Sequence, residues 1–289
     1  MSAHPSSVAV LGPGLMGASL LMALRRRMPG TRLAAWARRD DALKELKDRG
    51  LADVVSIDPA KVVESSEIVV FCVPVETMTS LAESVAGVVG PATLVTDVGS
   101  VKGQVVRELE EVFAVHRNFV GSHPMCGSEE AGLAAAREDL YEGAVCAVTP
   151  SEKSRPDRVA AASDFWSALG ARVITLSPEQ HDRAAAMVSH VPHVAASALV
   201  ETVFASEPVC RTMCAGGFRD TTRVASGAPD LWTGILSSNR AEVARGISCL
   251  IDSLQSIRIA LENNDMTRVS DFLRSAAEHR AQIVGQRAT

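Results

Sequence analysis

A histidine in the segment GSHPMCGSEEAG, residues 121–132, is the first candidate for proton chemistry. His123 follows a predicted strand and has glycines around it that give the backbone freedom. Its imidazole, with a reference pKa of about 6.5, can accept a proton from a hydroxyl near neutral pH, as is needed when hydride leaves the same carbon. Ser100, in the segment DVGSVKG, also follows a predicted strand and can hydrogen-bond the same hydroxyl. We therefore predict a proton-abstracting site at His123 and Ser100.

Each of these residues also has a plainer interpretation. A lone loop histidine usually satisfies a backbone group, and Ser100 could be an ordinary N-cap of the helix that follows it. Cys126, close to His123, could be a redox-sensitive thiol, but we interpret it as a small packing residue. The catalytic hypothesis is favoured because both polar segments follow strands of one predicted sheet, so they point to the same edge.

Two further polar segments, SHVPH and GGFRDTTRVASGAPDLW, lie in the second half of the chain. In the longer one, Arg223 can hold a carboxylate through its guanidinium fork. The commoner fate of an arginine is an exposed salt bridge, and that alternative stays open here.

The histidines of SHVPH have the spacing of one helical turn. Pro192 lies between His190 and His193, so the helix is predicted to kink there. With His181 and Asp182 nearby, the two histidines could form half of a metal site. We expect no metal, because the spacing is not a recognised zinc set and proton or hydride transfer needs no Lewis acid here.

A glycine turn near the N-terminus predicts a dinucleotide site. The apolar run VAVL reads as a strand, a helical pattern follows, and the glycines between them have the GxGxxG spacing. The glycines allow a tight turn, approach of the backbone to a pyrophosphate, and close packing of helix on strand, while the helix offers unpaired N–H groups to the anion. The predicted cofactor-binding positions are Gly12, Gly14, Leu15, Met16 and Gly17.

The end of the second predicted strand, Leu33–Trp36, bears on which cofactor binds. An Asp or Glu at this point usually binds the ribose hydroxyls of NAD, whereas an arginine accommodates the 2′-phosphate of NADP. The chain has Ala37 there, followed by Arg38 and Arg39. We therefore favour NADP over NAD; the alternative is that both arginines are solvated surface charges.

The elements that must position these residues divide the chain in two. Short β runs alternate with helical patterns in the first half, which predicts a Rossmann-type, doubly wound, mainly parallel sheet in an α/β fold. Strand signals stop near residue 177, and a long helix over Pro178–Ser206 begins an all-helical remainder. We predict a dinucleotide-binding domain at 1–176 and a helical substrate-binding and dimerisation domain at 177–289. The extended apolar helices favour a homodimer formed through this domain.

Composition excludes several other classes of function. The 289 residues carry a formal net charge of −5 with mixed signs, so no basic surface for nucleic acid is indicated. The sequence lacks a long uninterrupted apolar run and a signal-peptide pattern, so we expect a cytoplasmic protein without a membrane partner. The six cysteines form no CxxC pair and are predicted to be free. A small-molecule enzyme fits these features.

The motifs taken together resemble a known family. GxGLMGxSL, DVGSVK, GSHPMxG, SHxPH and GGFRDTTRxAS occur in order between Val8 and Trp232, and the set is similar to the prephenate and arogenate dehydrogenases of tyrosine biosynthesis. The resemblance implies a dinucleotide-binding domain joined to a helical dimerisation domain. It also implies that His123 accepts the proton of the ring 4-hydroxyl and that Ser100 orients both groups.

The same resemblance assigns residues to the substrate. It implies that His193 contacts the substrate side chain and that Arg223 binds a substrate carboxylate. Gly216 and Trp232 line the pocket by the same correspondence, and His190 is mostly structural.

The implied reaction is an oxidative decarboxylation, in which hydride passes to NAD(P)⁺ and loss of carbon dioxide makes the ring aromatic. The product is 4-hydroxyphenylpyruvate from prephenate or tyrosine from arogenate. Asp220 lies three residues before Arg223 in a predicted helical turn, and its carboxylate could pair with the ammonium group of arogenate. This favours arogenate slightly; the alternative is a helix-capping Asp.

Other interpretations of the chain remain. The β-hydroxyacid dehydrogenases share the GxGxMG opening but use a lysine of the second domain, and the sequence contains no lysine after Lys153. A non-catalytic NAD(P)-binding sensor is expected to lose polar site residues that are present here. A dehydrogenase of an amino-substituted prephenate analogue in secondary metabolism and feedback inhibition by tyrosine both stay open.

Overall fold

A five-stranded parallel sheet forms the centre of the N-terminal half. The computed structural model describes residues 5–128, 130 and 132–285, so Glu129 and Ala131 of the segment GSHPMCGSEEAG lie outside the described residues. The strand order is β3-β2-β1-β4-β5, with every neighbouring pair parallel. The strands of this sheet are β1 (Ser7–Leu11), β2 (Arg32–Trp36), β3 (Val54–Ser56), β4 (Ile68–Phe71) and β5 (Leu94–Asp97).

Strand β1 shows why the apolar runs fold as buried parallel strands. Val8 pairs with Leu33 of β2 on one side and with Ile68 of β4 on the other. Alternate side chains of β1 enter different hydrophobic clusters, Val8 and Val10 in one and Ala9 and Leu11 in the other. Because successive side chains of a strand point to opposite faces, a strand covered by helices on both faces must be apolar throughout.

A second, three-stranded sheet continues the first. Its strands, in spatial order, are β6 (Gly121–Pro124), β7 (Val145–Thr149) and β8 (Arg172–Thr175). The chain just before β6 runs parallel to β5 through a bridge between Phe119 and Val95, and β7 is antiparallel to β6. The carboxyl ends of β1, β4, β5 and β6 therefore share one edge, which is where ligands bind in sheets of this kind.

Helices cover the sheet and then form the remainder of the chain. The helices are α1 (Leu15–Arg27), α2 (Asp40–Asp48), α3 (Pro59–Val63), α4 (Val75–Val85), α5 (Gly103–Val112), α6 (Pro156–Ala168), α7 (Pro178–Ala185), α8 (Val191–Ala205), α9 (Pro208–Thr212), α10 (Gly216–Thr222), α11 (Pro229–Ser238), α12 (Arg240–Glu262) and α13 (Met266–Gly285). Every element named after β8 is helical, which confirms the predicted fold class.

The long helix expected over Pro178–Ser206 is interrupted. Helix α7 begins with a capping box between Ser177 and Gln180 and ends at Ala185. A π-helical turn over Ala186–His190 follows, and α8 begins immediately after it with Pro192 in its first turn. The irregular turn therefore lies just before Pro192, where the kink was predicted, and it ends at His190.

By internal contacts the chain separates into two compact units, Met1–Arg240 and Ala241–Thr289. The first contains both sheets and every candidate site residue. Within the described residues, no helix has the length and apolar character needed to cross a membrane.

Candidate active site

The glycine turn has the geometry of a dinucleotide-binding loop. Gly12 has a φ of +107°, and a Cβ there would lie 2.6 Å from the carbonyl oxygen of Cys72. A Cβ on Gly17 would collide with the carbonyl of Gly12, so the helix packs too closely on the turn for any side chain. A Cβ on Gly14, in contrast, would meet no described atom. Helix α1 begins at the next residue, and no described side chain caps its N-terminus. The loop therefore combines a tight turn with an open, donor-rich helix end that fits a pyrophosphate.

The residues predicted to choose the cofactor lie beyond β2. Ala37 is buried, and Arg38 and Arg39 are exposed directly after it. The Nε of Arg39 lies 3.4 Å from a carboxylate oxygen of Asp41, with both side chains largely in solvent. The arginines are thus accessible at the correct end of the strand.

His123 lies in β6 and contacts a second histidine. Only 9% of His123 is exposed, and its Nδ1 lies 2.8 Å from Nε2 of His181 in α7. The Nδ1 of His181 lies in turn 2.8 Å from Oδ1 of Asp182. The candidate base is therefore the outer member of a hydrogen-bonded series of three side chains.

The surroundings of His123 keep its ring uncharged. Burial lowers the pKa of His123 well below its usual value, and electrostatic interactions with His181, Lys102 and His190 lower it further. An imidazole that is neutral at physiological pH can accept a proton. The environment therefore keeps His123 in the unprotonated form that a base requires.

The loop between β5 and α5 brings Ser100 to the same region. Ser100 is half-buried, and no described residue hydrogen-bonds its hydroxyl. Helix α5 begins at Gly103, so the N-cap interpretation of Ser100 is wrong. The backbone N–H groups of Lys102 and Gly103 instead donate to Asp182, at 2.7 and 2.8 Å. A carboxylate from α7 caps this helix, and Ser100 is left for another role.

A buried ion pair holds the loop in place. Lys102 and Asp97 are both completely buried and joined by a hydrogen bond, and the ammonium also donates to the backbone carbonyl of Ser122 at 2.8 Å. Asp97 accepts from the N–H of Ser122 at 3.0 Å and from that of Gly99 at 2.8 Å. The end of β5, the start of α5 and the strand carrying His123 are thereby fixed together.

The histidine assigned to the substrate packs on a tryptophan. The ring of His193 stacks on Trp232 with centroids 3.6 Å apart and planes 12° from parallel. A Cβ on Gly227 would collide with the indole, so this glycine allows the stack. The His193 imidazole also donates a hydrogen bond to the carbonyl of Val224, whereas its buried Nδ1 has no partner in the described chain. That nitrogen is therefore a buried polar atom without a described protein partner.

The remaining predicted substrate residues lie on one short segment. Helix α10 begins at Gly216 and carries Asp220, and Arg223 opens the 3₁₀ turn that follows. All three are exposed. The carbonyl of Val224 binds His193, so the segment is anchored directly beside Arg223.

A series of contacts connects the two groups of residues. Asn239 donates to the backbone carbonyl of Asp182 at 2.8 Å and lies 3.3 Å from Nδ1 of His190. His190 packs edge-on against Trp232 with ring centroids 6.2 Å apart, and Trp232 stacks on His193. His123 of the sheet half is thus connected through side-chain and backbone contacts to Trp232 and His193 of the helical half.

Several members of this cluster were not predicted as site residues. His181 and Asp182 were considered only as part of a metal site, and Asn239, Lys102 and Asp97 were not singled out. The signal was present in part, because His181 and Asp182 follow the capping-box pattern that starts α7. Throughout the described residues, no group of three or more His, Cys, Asp or Glu is arranged to hold a metal ion.

Cys126 is half-buried against the core, and burial raises the pKa of its thiol to about 12. A thiol that stays protonated reacts poorly, so the environment agrees with the interpretation as a packing residue.

Comparison with known proteins gives a consistent result. Residues 20–175 match the family model "prephenate dehydrogenase, nucleotide-binding domain", and residues 177–275 match "prephenate dehydrogenase, dimerization domain". The chain is 31% identical to prephenate dehydrogenase of Bacillus subtilis over 284 residues, which are 97% of this chain and 76% of the relative.

Solved structures are similar over the whole chain. Prephenate dehydrogenase of Aquifex aeolicus in complex with hydroxyphenyl propionate and NAD⁺ has a TM-score of 0.92 at 30% identity, covering 98% of this chain and 100% of that one. Synechocystis arogenate dehydrogenase has a TM-score of 0.83 at 26% identity, covering 96% and 99%. The chain therefore belongs to the prephenate/arogenate dehydrogenase family and is an NAD(P)-dependent dehydrogenase of tyrosine synthesis.

Proposed function

We propose that the chain oxidatively decarboxylates a cyclohexadienol of the prephenate or arogenate type with His123 as the general base. The observation that carries this proposal is the buried, neutral imidazole of His123 in β6, which a series of contacts connects to His193 and Trp232. When bound, the nicotinamide cofactor supplies the hydride acceptor. The chain's own residues must then bind the substrate, orient its hydroxyl and remove the proton.

The proton step uses one nitrogen of His123. The Nδ1 atom is engaged by His181, so Nε2 is the atom that accepts the hydroxyl proton. Ser100 supplies a hydroxyl that orients the substrate oxygen. This role is supported by the half-buried position of Ser100 and by the lack of a hydrogen-bond partner for its hydroxyl among the described residues. As the substrate hydroxyl loses its proton, the ring carboxylate leaves as carbon dioxide and the ring becomes aromatic.

We assign the cofactor to the glycine turn and the start of α1. The residues that fit it are Gly12, Gly14, Leu15, Met16 and Gly17, because the turn leaves open space at Gly14 beside the helix end. A preference for NADP is supported by the two exposed arginines, Arg38 and Arg39, and by the buried alanine in place of a ribose-binding carboxylate.

We assign the other end of the site to the substrate side chain. Arg223 binds a carboxylate, His193 contacts the substrate side chain from its stack on Trp232, and Gly216 and Trp232 line the pocket. Asp220, exposed on the helix that leads to Arg223, favours the ammonium of arogenate slightly over the keto group of prephenate.

A homodimer is supported by apolar side chains left in solvent on the helical half. Met187, Val188, Phe204, Val209 and Met213 are each more than half exposed. A monomer rarely leaves so many large apolar groups uncovered. We propose that residues 177–289 form the dimerisation and substrate domain, that residues 1–176 hold the cofactor, and that the protein works in the cytoplasm, where its six free cysteines stay reduced.

A two-by-two assay tests this function. Purified protein is mixed with prephenate or arogenate and with NAD⁺ or NADP⁺, and reduced nicotinamide is followed by absorbance while carbon dioxide is measured. We expect equal amounts of both products, with faster turnover for arogenate and NADP⁺. Reduction without carbon dioxide release, or no reaction in any combination, contradicts the proposal.

A further inference from the structure

Three buried side chains form a hydrogen-bonded series that ends at the proposed base. His123 Nδ1 and His181 Nε2 lie 2.8 Å apart, and His181 Nδ1 and Asp182 Oδ1 lie 2.8 Å apart. The exposed fractions of His181 and Asp182 are 2% and 8%. Water cannot compete freely for these bonds, so the position of each proton is decided by the protein.

The position of the protons follows from Asp182. Its two carboxylate oxygens accept from the backbone N–H groups of Lys102 and Gly103 at the start of α5. Burial raises the pKa of Asp182, but the hydrogen bond from His181 and those two N–H groups outweigh burial and hold the pKa below its usual value. The carboxylate is therefore ionised, and it acts only as a hydrogen-bond acceptor.

An ionised Asp182 determines the tautomer of each ring in turn. The proton of His181 must lie on Nδ1, because a lone pair there would face a carboxylate lone pair at 2.8 Å. With its own proton on Nδ1, His181 accepts through the lone pair on Nε2, so His123 must carry its proton on Nδ1 to donate across the 2.8 Å contact. The lone pair of His123 is left on Nε2.

We infer that His181 and Asp182 are positioning residues that hold His123 in the tautomer with a bare Nε2 and stabilise the imidazolium formed when that atom takes the substrate proton. This inference rests on the proposed function of His123. In the step itself the substrate O–H bond breaks, the Nε2–H bond forms, and the protons on the two Nδ1 atoms stay in place. The arrangement is an Asp–His–His analogue of the way a buried carboxylate orients a catalytic imidazole elsewhere.

The charges around His123 show what Asp182 contributes. Lys102 from the β5–α5 loop, His181 from α7 and His190 from the π turn all disfavour a positive charge on His123. Lys102 is paired with Asp97, and Asp182 supplies the negative charge at the other end of the hydrogen-bonded series. Replacing that carboxylate by a neutral group should therefore lower the pKa of His123 and move the acid limb of the activity profile to lower pH.

Nitrogen NMR tests the inference independently of activity. The full-length protein is labelled with ¹⁵N-histidine, and the His123 signals are assigned by their loss in His123→Asn. We expect Nδ1 to be protonated and Nε2 to be bare at neutral pH. The opposite tautomer, or equal populations of both, overturns the inference whatever the activity of the enzyme.

Three variants then test the coupling. His181→Phe removes the acceptor, so it should release the tautomer of His123 and lower kcat by about tenfold to hundredfold, less than removal of the base itself. His181→Gln keeps a carbonyl acceptor and should recover part of the loss. Asp182→Asn should shift the acid limb of kcat/KM to lower pH, and Arg183→Ala, an exposed neighbour on α7, should change neither readout.

The outcomes separate this inference from the proposed function. If His181→Phe changes the tautomer but not kcat, the positioning role falls. A loss of activity in His123→Asn together with an unchanged tautomer in His181→Phe leaves His123 as the base and overturns the role of His181. Because Asp182 also caps α5, Asp182→Asn could fail to fold, and the two His181 variants then decide.

Discussion

His123 and His181 are joined by one hydrogen bond of 2.8 Å between Nδ1 and Nε2, although they are 58 residues apart in the chain. One residue belongs to the sheet and the other to the first helix after it. The bond occupies one nitrogen of the proposed base and leaves the other for the substrate. The chemistry of the site therefore depends on the packing of α7 against the end of the sheet.

Loss of the base should reduce turnover more than substrate binding. His123→Asn removes the atom that accepts the hydroxyl proton, and we expect kcat to fall by about 10² to 10⁴ fold with a small change in KM. Steady-state kinetics at neutral pH measure both constants. His116→Asn, a half-buried histidine outside the cluster, is the control. Unchanged turnover in His123→Asn removes this residue from the mechanism.

Loss of the Arg223 guanidinium should weaken substrate binding more than it reduces turnover. Arg223→Ala removes the proposed carboxylate contact, and a charge-assisted hydrogen bond contributes about 1.5–3 kcal/mol, so KM should rise by roughly tenfold to hundredfold. We expect kcat to change much less. Arg219→Ala, exposed on α10, is the matched control. An equal rise of KM in both variants would show only that the positive charge of the segment matters.

Cofactor preference should respond to the arginines beyond β2. In the double variant Arg38→Ala and Arg39→Ala, the ratio of kcat/KM for NADP⁺ to that for NAD⁺ should fall at least about tenfold, which corresponds to about 1.4 kcal/mol of lost phosphate binding. The control is Lys47→Ala, which also removes a positive charge but lies at the far end of α2. A ratio that does not move contradicts the assignment of these arginines to a 2′-phosphate.

Substitution of the two glycines of the turn should affect different properties, stability for Gly17 and cofactor affinity for Gly14. Gly17→Ala places a Cβ against the carbonyl of Gly12, so we expect a loss of about 1–3 kcal/mol in the free energy of unfolding. Gly14→Ala meets no described atom, so the fold should persist while the affinity for the cofactor falls. Urea unfolding and cofactor titration by fluorescence measure the two effects. Tight cofactor binding by Gly14→Ala contradicts the proposed approach of the pyrophosphate.

Acid should destabilise the protein through its buried histidines. Burial is the main cause that lowers the pKa of His190 to about 4, and it also lowers the pKa of His123. Unfolded histidines, with a pKa near 6.5, bind protons more readily than these folded ones. The stability they contribute is therefore complete above about pH 6.5 and declines as the pH falls towards 4, by up to about 1.4 kcal/mol per pH unit for each group.

Urea unfolding between pH 7.5 and pH 4.5 measures this dependence. His190→Asn removes one titrating group, so its free energy of unfolding should fall less steeply with acid than that of the original protein. His116→Asn again serves as the control. Equal slopes for the original protein and His190→Asn rule out the contribution assigned to His190.

Much of the fold followed from local patterns in the sequence. The apolar runs and the glycine spacing predicted β1, α1 and the parallel sheet, because strand burial and a GxGxxG turn depend on neighbouring residues alone. A kink at Pro192 was predicted as well, since proline removes a helical hydrogen bond, and the structure has this proline in the first turn of α8. The π turn before it could not be predicted, because the helical pattern continues through it.

The sequence by itself determined which residue types could do the chemistry, and His123, Ser100, His193 and Arg223 were all proposed from it. Only the tertiary structure decided how they are supported. Asp182 caps a helix whose first N–H groups are 79 and 80 residues away, and Lys102 is buried against Asp97 rather than exposed. Such pairings depend on how α5 and α7 pack at the end of the sheet, and side-chain contacts between distant segments leave no periodic signal in the chain.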